Sequence, residues 1–147
     1  PERADIVIAE AYPTDIDLRQ AIKAICSADL VCRDDGVIIL VAECSEGIAP
    51  QFPDFLKIGF KYPEKLYQAV ERGKFRQKLM AYTLVAIGRI ISGRVKSILV
   101  SPNINSKDAE NMGFLWARNV NDAIEKAFQL VGKDSRIVVL KQAGKIL

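Results

Sequence analysis

The chain is predicted to be an α/β domain, a mostly parallel sheet of about five strands with helices packed on it. Three observations predict this. Short apolar runs bounded by turn residues alternate with segments of helical period from end to end. Two such runs with an intervening helix form a β-α-β unit within the first 45 residues, and a connection of that kind implies parallel strands. The chain has 147 residues, 50% of them hydrophobic, enough to bury one sizeable core but cramped for two domains.

The elements follow in order. Ala4 to Ala9 reads as a buried strand stopped by Tyr12-Pro13. Thr14 with Asp17 three residues on resembles a capping box, and Leu18, Ala21, Ile22 and Ile25 then repeat at helical spacing, so one helix is expected to about Leu30. Arg33-Asp34-Asp35-Gly36 is turn chemistry, after which Val37 to Ala42 forms the second strand. The glycines and prolines from Cys44 to Tyr62 preclude a long element and leave at most a helical turn over Pro53 to Ile58; a loop this long is often functional. Pro63 to Arg72 and Phe75 to Ser92 are expected helices separated at Gly73. Val95 to Val100 is a strand, Ser106 to Met112 a short helix, Phe114 to Ala117 a short strand, Asn121 to Val131 a helix and Arg136 to Leu140 a last strand.

Composition excludes several functions. A net charge of +3 from 21 basic and 18 acidic residues is too mild to imply nucleic acid or an anionic membrane. The longest apolar runs, Val37 to Ala42 and Leu79 to Ile91, are too short or too interrupted to span a bilayer. No signal-peptide pattern opens the chain, so a cytoplasmic location is expected. Cys26, Cys32 and Cys44 form neither a CxxC pair nor an even set and read as buried or incidental thiols. The chain has no histidine, the commonest metal ligand and usual general base near neutral pH. Any chemistry must use other groups or borrow them. The start at Pro1 is expected of a piece cut from a longer polypeptide.

Several motifs in the chain also have plainer readings. Gly88 to Gly93 imitates phosphate-loop spacing, but Arg94 replaces the Lys-Ser/Thr pair and the segment reads as helix. Arg72, Lys74, Arg76, Lys78, Arg89, Arg94 and Lys96 make the middle locally basic; interleaved Glu64 and Glu71 favour a solvated or docking face over RNA binding. Glu43, Cys44, Ser45 and Glu46 follow the second strand at the edge where α/β sheets place ligands, yet an ordinary polar loop is the better reading. On the first helix Gln20, Lys23 and Ser27 fall opposite Leu18, Ile22 and Ile25 and so are expected to face away from the core. Such a face is either solvated or, through an amide and an ammonium one turn apart, able to bind a small hydroxy acid. Spacing leaves both open.

Taken together, Ala4-Asp-Ile-Val-Ile-Ala, Tyr12-Pro-Thr-Asp, Gln20-Ala-Ile-Lys23, Asp35-Gly-Val-Ile-Ile-Leu-Val-Ala-Glu-Cys and Glu46-Gly47 resemble the C-terminal domain of the nickel-dependent lactate racemase family. The likeness is densest over the first 47 residues; beyond them it lies in the order of elements and in Asp122-Ala-Ile. It implies that residues 1–147 are one α/β domain whose N-terminal partner in the same polypeptide completes a substrate cleft. It also implies a nickel-pincer nucleotide tethered to a lysine of that absent domain, whose histidines act as metal ligand and acid/base, with no cofactor and no metal ligands expected in this chain alone. The reaction implied is racemisation or epimerisation of a small 2-hydroxy acid, the α-hydrogen leaving as hydride and returning on the opposite face. Gln20 and Lys23 match the family's Gln-x-x-Lys motif and would orient the substrate and neutralise its charge, with Tyr12 and Phe75 completing the substrate-binding set. Phe75 falls roughly where some members carry a tryptophan. Two departures mark a divergent branch: Ala9-Glu10-Ala11 replaces the usual Gly-Gly before Tyr-Pro, and Arg19 stands where an aromatic residue often precedes the glutamine. The extra cation would favour a more acidic or longer hydroxy acid. The isolated domain is expected to be inactive. The alternative is a non-catalytic α/β ligand-binding or interaction module.

Overall fold

A computed structural model describes residues 2–145. Pro1, Ile146 and Leu147, within the expected domain 1–147, lie outside the described residues. Five parallel strands form one sheet in the order β4-β3-β2-β1-β5: β1 (Ala4–Glu10), β2 (Cys32–Val41), β3 (Lys96–Val100), β4 (Leu115–Trp116) and β5 (Ile137–Leu140). The helices are α1 (Leu18–Ala21), α2 (Lys23–Val31), α3 (Pro53–Ile58), α4 (Pro63–Glu71), α5 (Lys78–Arg89), α6 (Ser106–Met112) and α7 (Val120–Val131). None is long and apolar enough to cross a membrane.

Strand alternation builds a core on each face of the sheet. Val7, Ala9, Ile38, Leu40 and Leu99 point to the side packed by α1 through α6; Ile6, Val37, Ile39, Ile98 and Val100 point to the side covered by Ala123 and Ala127 of α7. Handedness explains this division. The chain steps from β1 to β4 in one direction and then returns past β1 to β5, so right-handed crossovers put α7 on the opposite face from the earlier helices. The reversal leaves a switch point between β1 and β5, beside the loop that leaves β1.

Three expected elements differ in detail. Residues 33–35 do not turn out of the sheet, because β2 starts at Cys32. Ala4 pairs with Cys32 and Ile6 with Val37, so Arg33, Asp34 and Asp35 are extra residues accommodated as a bulge. Asp35 takes a left-handed φ of 58°, and a Cβ on Gly36 would lie 2.7 Å from Cys32 Sγ and 2.8 Å from the Asp5 carbonyl. The Asp-Gly pair serves a bulge rather than a chain reversal. The first helix breaks at Ile22, whose N–H donates to the carbonyls of both Gln20 and Leu18, leaving α1 and α2 as separate pieces. Its cap is Asp17 rather than Thr14: the Asp17 carboxylate accepts the Gln20 N–H at 2.8 Å, while the Thr14 hydroxyl donates to the Ala11 carbonyl. The expected helix Phe75 to Ser92 is regular only over α5 and then widens into a π-helical turn, Ile90–Arg94.

Candidate functional site

Two loops at the carboxyl edge of the sheet are laced together by their backbones. From the loop after β2, Cys44 N–H donates to the Asp15 carbonyl and Glu46 N–H to the Ile16 carbonyl, each at 2.8 Å. In the other direction Leu18 N–H donates to the Gly47 carbonyl and Arg19 N–H to the Ile48 carbonyl, each at 3.0 Å. The start of α1 is thus held by a neighbouring loop as well as by its Asp17 cap. Gly47 has φ 82°, a conformation that a side chain would strain. The Ser101 hydroxyl and Asn103 amide, just beyond β3, donate to the Glu43 carbonyl at 3.0 and 2.8 Å and tie in a third strand end.

This lacing gives Glu43 to Glu46 a structural role. Burial pushes the Cys44 thiol up to about 12 and the Cys32 thiol to about 11, and raises Cys26 as well. Thiolate ligands are disfavoured at all three positions. Among the described residues no group of three or more histidine, cysteine, aspartate or glutamate side chains could hold a metal.

Beside α2 lies an open cavity of about 620 Å³. Ile22, Cys26, Phe52, Phe55, Met80 and Ile87 supply apolar wall, Leu79, Gln77 and Thr83 lie on the α5 side, and four cations, Arg19, Lys23, Arg76 and Lys78, complete the lining. No carboxylate contributes. The Arg19 guanidinium sits over the Phe52 ring, 5.1 Å from its centroid. Arg89 and Arg94 of the basic middle stretch belong elsewhere: Arg89 pairs with exposed Glu64, and Arg94 with Asp29 and Asp34. The basic run is therefore dispersed, not a continuous stripe.

The expected site residues separate. Lys23 opens α2, exposed, on the cavity wall. Gln20 is half-buried one turn earlier, and its side-chain amide makes no hydrogen bond with a described residue. Tyr12 is exposed on the loop after β1. Phe75 packs half-buried against the core and does not line the cavity. Ser27 corrects the expectation that it shares an outward face with Gln20 and Lys23: it is buried, and its hydroxyl donates to the Ala143 carbonyl at 2.7 Å. A short 3-10 turn, Ala143–Lys145, folds over α2 there and covers a position that helical spacing left to solvent. Sequence reasoning missed Arg76, Lys78, Leu79, Met80 and Thr83 as members of a common wall with Lys23. The available signal was the run Arg76-Gln77-Lys78-Leu79, in which an apolar residue follows two closely spaced cations.

A lactate racemase of Thermoanaerobacterium thermosaccharolyticum is 26% identical over an alignment of 147 positions that covers 98% of this chain and 34% of the relative. The solved structure of the lactate racemase apoprotein from that organism matches with a TM-score of 0.81 and 26% identity over 99% of this chain and 36% of that one. The chain spans about a third of the length of these relatives. The family model for the lactate racemase C-terminal domain matches residues 1–146, and the chain belongs to that family.

Proposed function

We propose that this chain is the C-terminal domain of a nickel-dependent 2-hydroxy acid racemase or epimerase, and that Gln20 and Lys23 line the substrate side of a cleft completed by an N-terminal domain. One observation carries the reading. In a member of the lactate racemase C-terminal domain family, Lys23 stands exposed at the start of α2, on a cavity wall, with no salt bridge to any described residue. An ammonium so placed is available to a carboxylate, and its attraction strengthens as a second domain excludes water.

The roles follow from the groups. Lys23 binds the substrate carboxylate and offsets the negative charge of the reacting acid. The Gln20 amide, donor and acceptor together, fixes the orientation of the hydroxyl or of the keto oxygen that replaces it. The chain has no histidine, the usual general base near neutral pH. These residues also do not fit a nickel site, since no suitable donor set exists among the described ones. The family likeness implies that metal ligands and acid/base groups belong to the N-terminal domain, which would hold a nickel-pincer nucleotide.

The test is interconversion of D- and L-2-hydroxy acids by the complete polypeptide loaded with nickel cofactor, followed by chiral chromatography. Loss of one charge-assisted contact, about 1.5–3 kcal/mol, predicts that Lys23→Ala lowers kcat/KM roughly 10- to 150-fold, with partial recovery in Lys23→Arg. A neutral contact predicts roughly 2- to 10-fold for Gln20→Ala. Full activity in Lys23→Ala, or no interconversion of any 2-hydroxy acid by the wild type, would refute the proposal.

A further inference from the structure

We infer that the cavity beside Lys23 receives the apolar tail of a medium-chain 2-hydroxy acid, whose carboxylate is drawn to the cations lining it. This deepens the functional reading above and rests on it for the hydroxy-acid headgroup. The cavity, about 620 Å³, falls in the range of about 300–1,000 Å³ typical of small-molecule sites. Lactate, with a methyl group for a tail, would leave most of that space unfilled.

The lining selects the chemistry. Ile22, Phe52, Phe55, Met80 and Ile87 form an apolar wall suited to an alkyl chain, and Leu79 is 83% exposed beside it. Covering these surfaces with methylenes removes apolar area from water. The charge on the same cavity is all of one sign, because Arg19, Lys23, Arg76 and Lys78 contribute and no Asp or Glu does. None of the four forms a salt bridge with a described residue. An anion with an apolar tail satisfies both features at once; a neutral lipid leaves the cations unmatched, and a short dicarboxylate leaves the apolar wall wet.

The two methionines of these 147 residues allow a direct test in the complete polypeptide, each resonance being assigned from its Met80→Leu or Met112→Leu variant. Met80 lines the cavity, whereas Met112 is fully buried in the core and reports folding. With [methyl-13C]methionine labelling, titration with 2-hydroxyoctanoate is expected to move the Met80 resonance saturably and leave Met112 in place. Along the series from 2-hydroxybutyrate to 2-hydroxyoctanoate, affinity should rise roughly fourfold per methylene. Thr83→Trp, a substitution at an exposed wall position, should weaken binding roughly tenfold by occupying the tail's space, with Met112 unmoved. Lys23→Ala together with Arg76→Gln should weaken it by a similar factor. Failure of 2-hydroxyoctanoate to shift Met80 in folded protein, or an equal or larger saturable shift from lactate or malate, would overturn the inference. Racemisation of lactate by the complete polypeptide with a silent Met80 would remove this inference and leave the functional reading standing. Titration of Met80 without racemisation of any 2-hydroxy acid would do the opposite.

Discussion

Replacing Ser27 by alanine separates two accounts of α2. If Ser27 lay on a solvated helix face, as its spacing from Gln20 and Lys23 suggests, its loss would change stability by no more than about 0.5 kcal/mol. In the structure it is buried, and its hydroxyl donates at 2.7 Å to the carbonyl of Ala143, 116 residues away. Deleting one partner of a buried hydrogen bond costs about 1–3 kcal/mol, because the carbonyl left behind has given up water without a replacement. For a chain of this size that is a fall in Tm of roughly 3–10 °C. Urea and thermal unfolding followed by far-UV circular dichroism measure it, with an unchanged urea slope expected because the surface exposed on unfolding is the same. Ser27→Thr, which retains the hydroxyl, should cost less than Ser27→Ala only if the added methyl is accommodated, so alanine is the decisive variant. A Ser27→Ala protein within about 0.5 kcal/mol of wild type would refute the docking of the last described turn onto α2.

The same turn makes a second prediction. A Cβ on Gly144 would lie 1.9 Å from Thr14 Oγ1 and 3.1 Å from Thr14 Cβ, so Gly144→Ala should destabilise by about 1–3 kcal/mol and Thr14→Ala should recover part of that loss; additive costs in the double mutant would be the contrary result. A third concerns alkaline pH. Burial is the largest cause of the raised Cys44 and Cys32 thiols, about 12 and 11 against an ordinary 9.0. Between those values the unfolded chain has lost protons that the folded chain keeps, so the contribution is complete below about pH 9 and is lost as pH rises through the folded values. Unfolding free energy measured from pH 8 to 11 should therefore fall less steeply in Cys44→Ala than in wild type, and parallel profiles would count against the burial of that thiol.

Much of the fold was legible because strands and helices obey local rules. Val37 to Ala42 and Val95 to Val100 are runs of apolar residues that a parallel sheet buries on both faces, and the expected strands coincide with β2 and β3 at their carboxyl ends. Two of the segments that carry the resemblance, Tyr12-Pro-Thr-Asp and Glu46-Gly47, lie in the two loops whose backbones hold each other at the carboxyl edge of the sheet. Local pattern failed where remote segments compete for the same groups. Arg33 to Asp35 have turn chemistry, but β1 alongside keeps them in the sheet as a bulge. Thr14 has the character of a helix cap, but the Ala11 carbonyl takes its hydroxyl. Ser27 has a solvent-facing position on a helical wheel, but a turn more than a hundred residues later covers it.

The candidate site divides along the same line. Lys23 and Gln20 could be singled out from residue type, spacing and family likeness, since an ammonium and an amide carry their chemistry wherever they are placed. The cavity could not be foreseen. Its wall brings Lys23 together with Phe52 and Met80, residues on three separate segments, and no period along the chain encodes a distance across it. Side-chain chemistry and strand order are written in neighbouring residues, whereas a concave surface exists only after packing has decided which faces of α2 and α5 oppose one another.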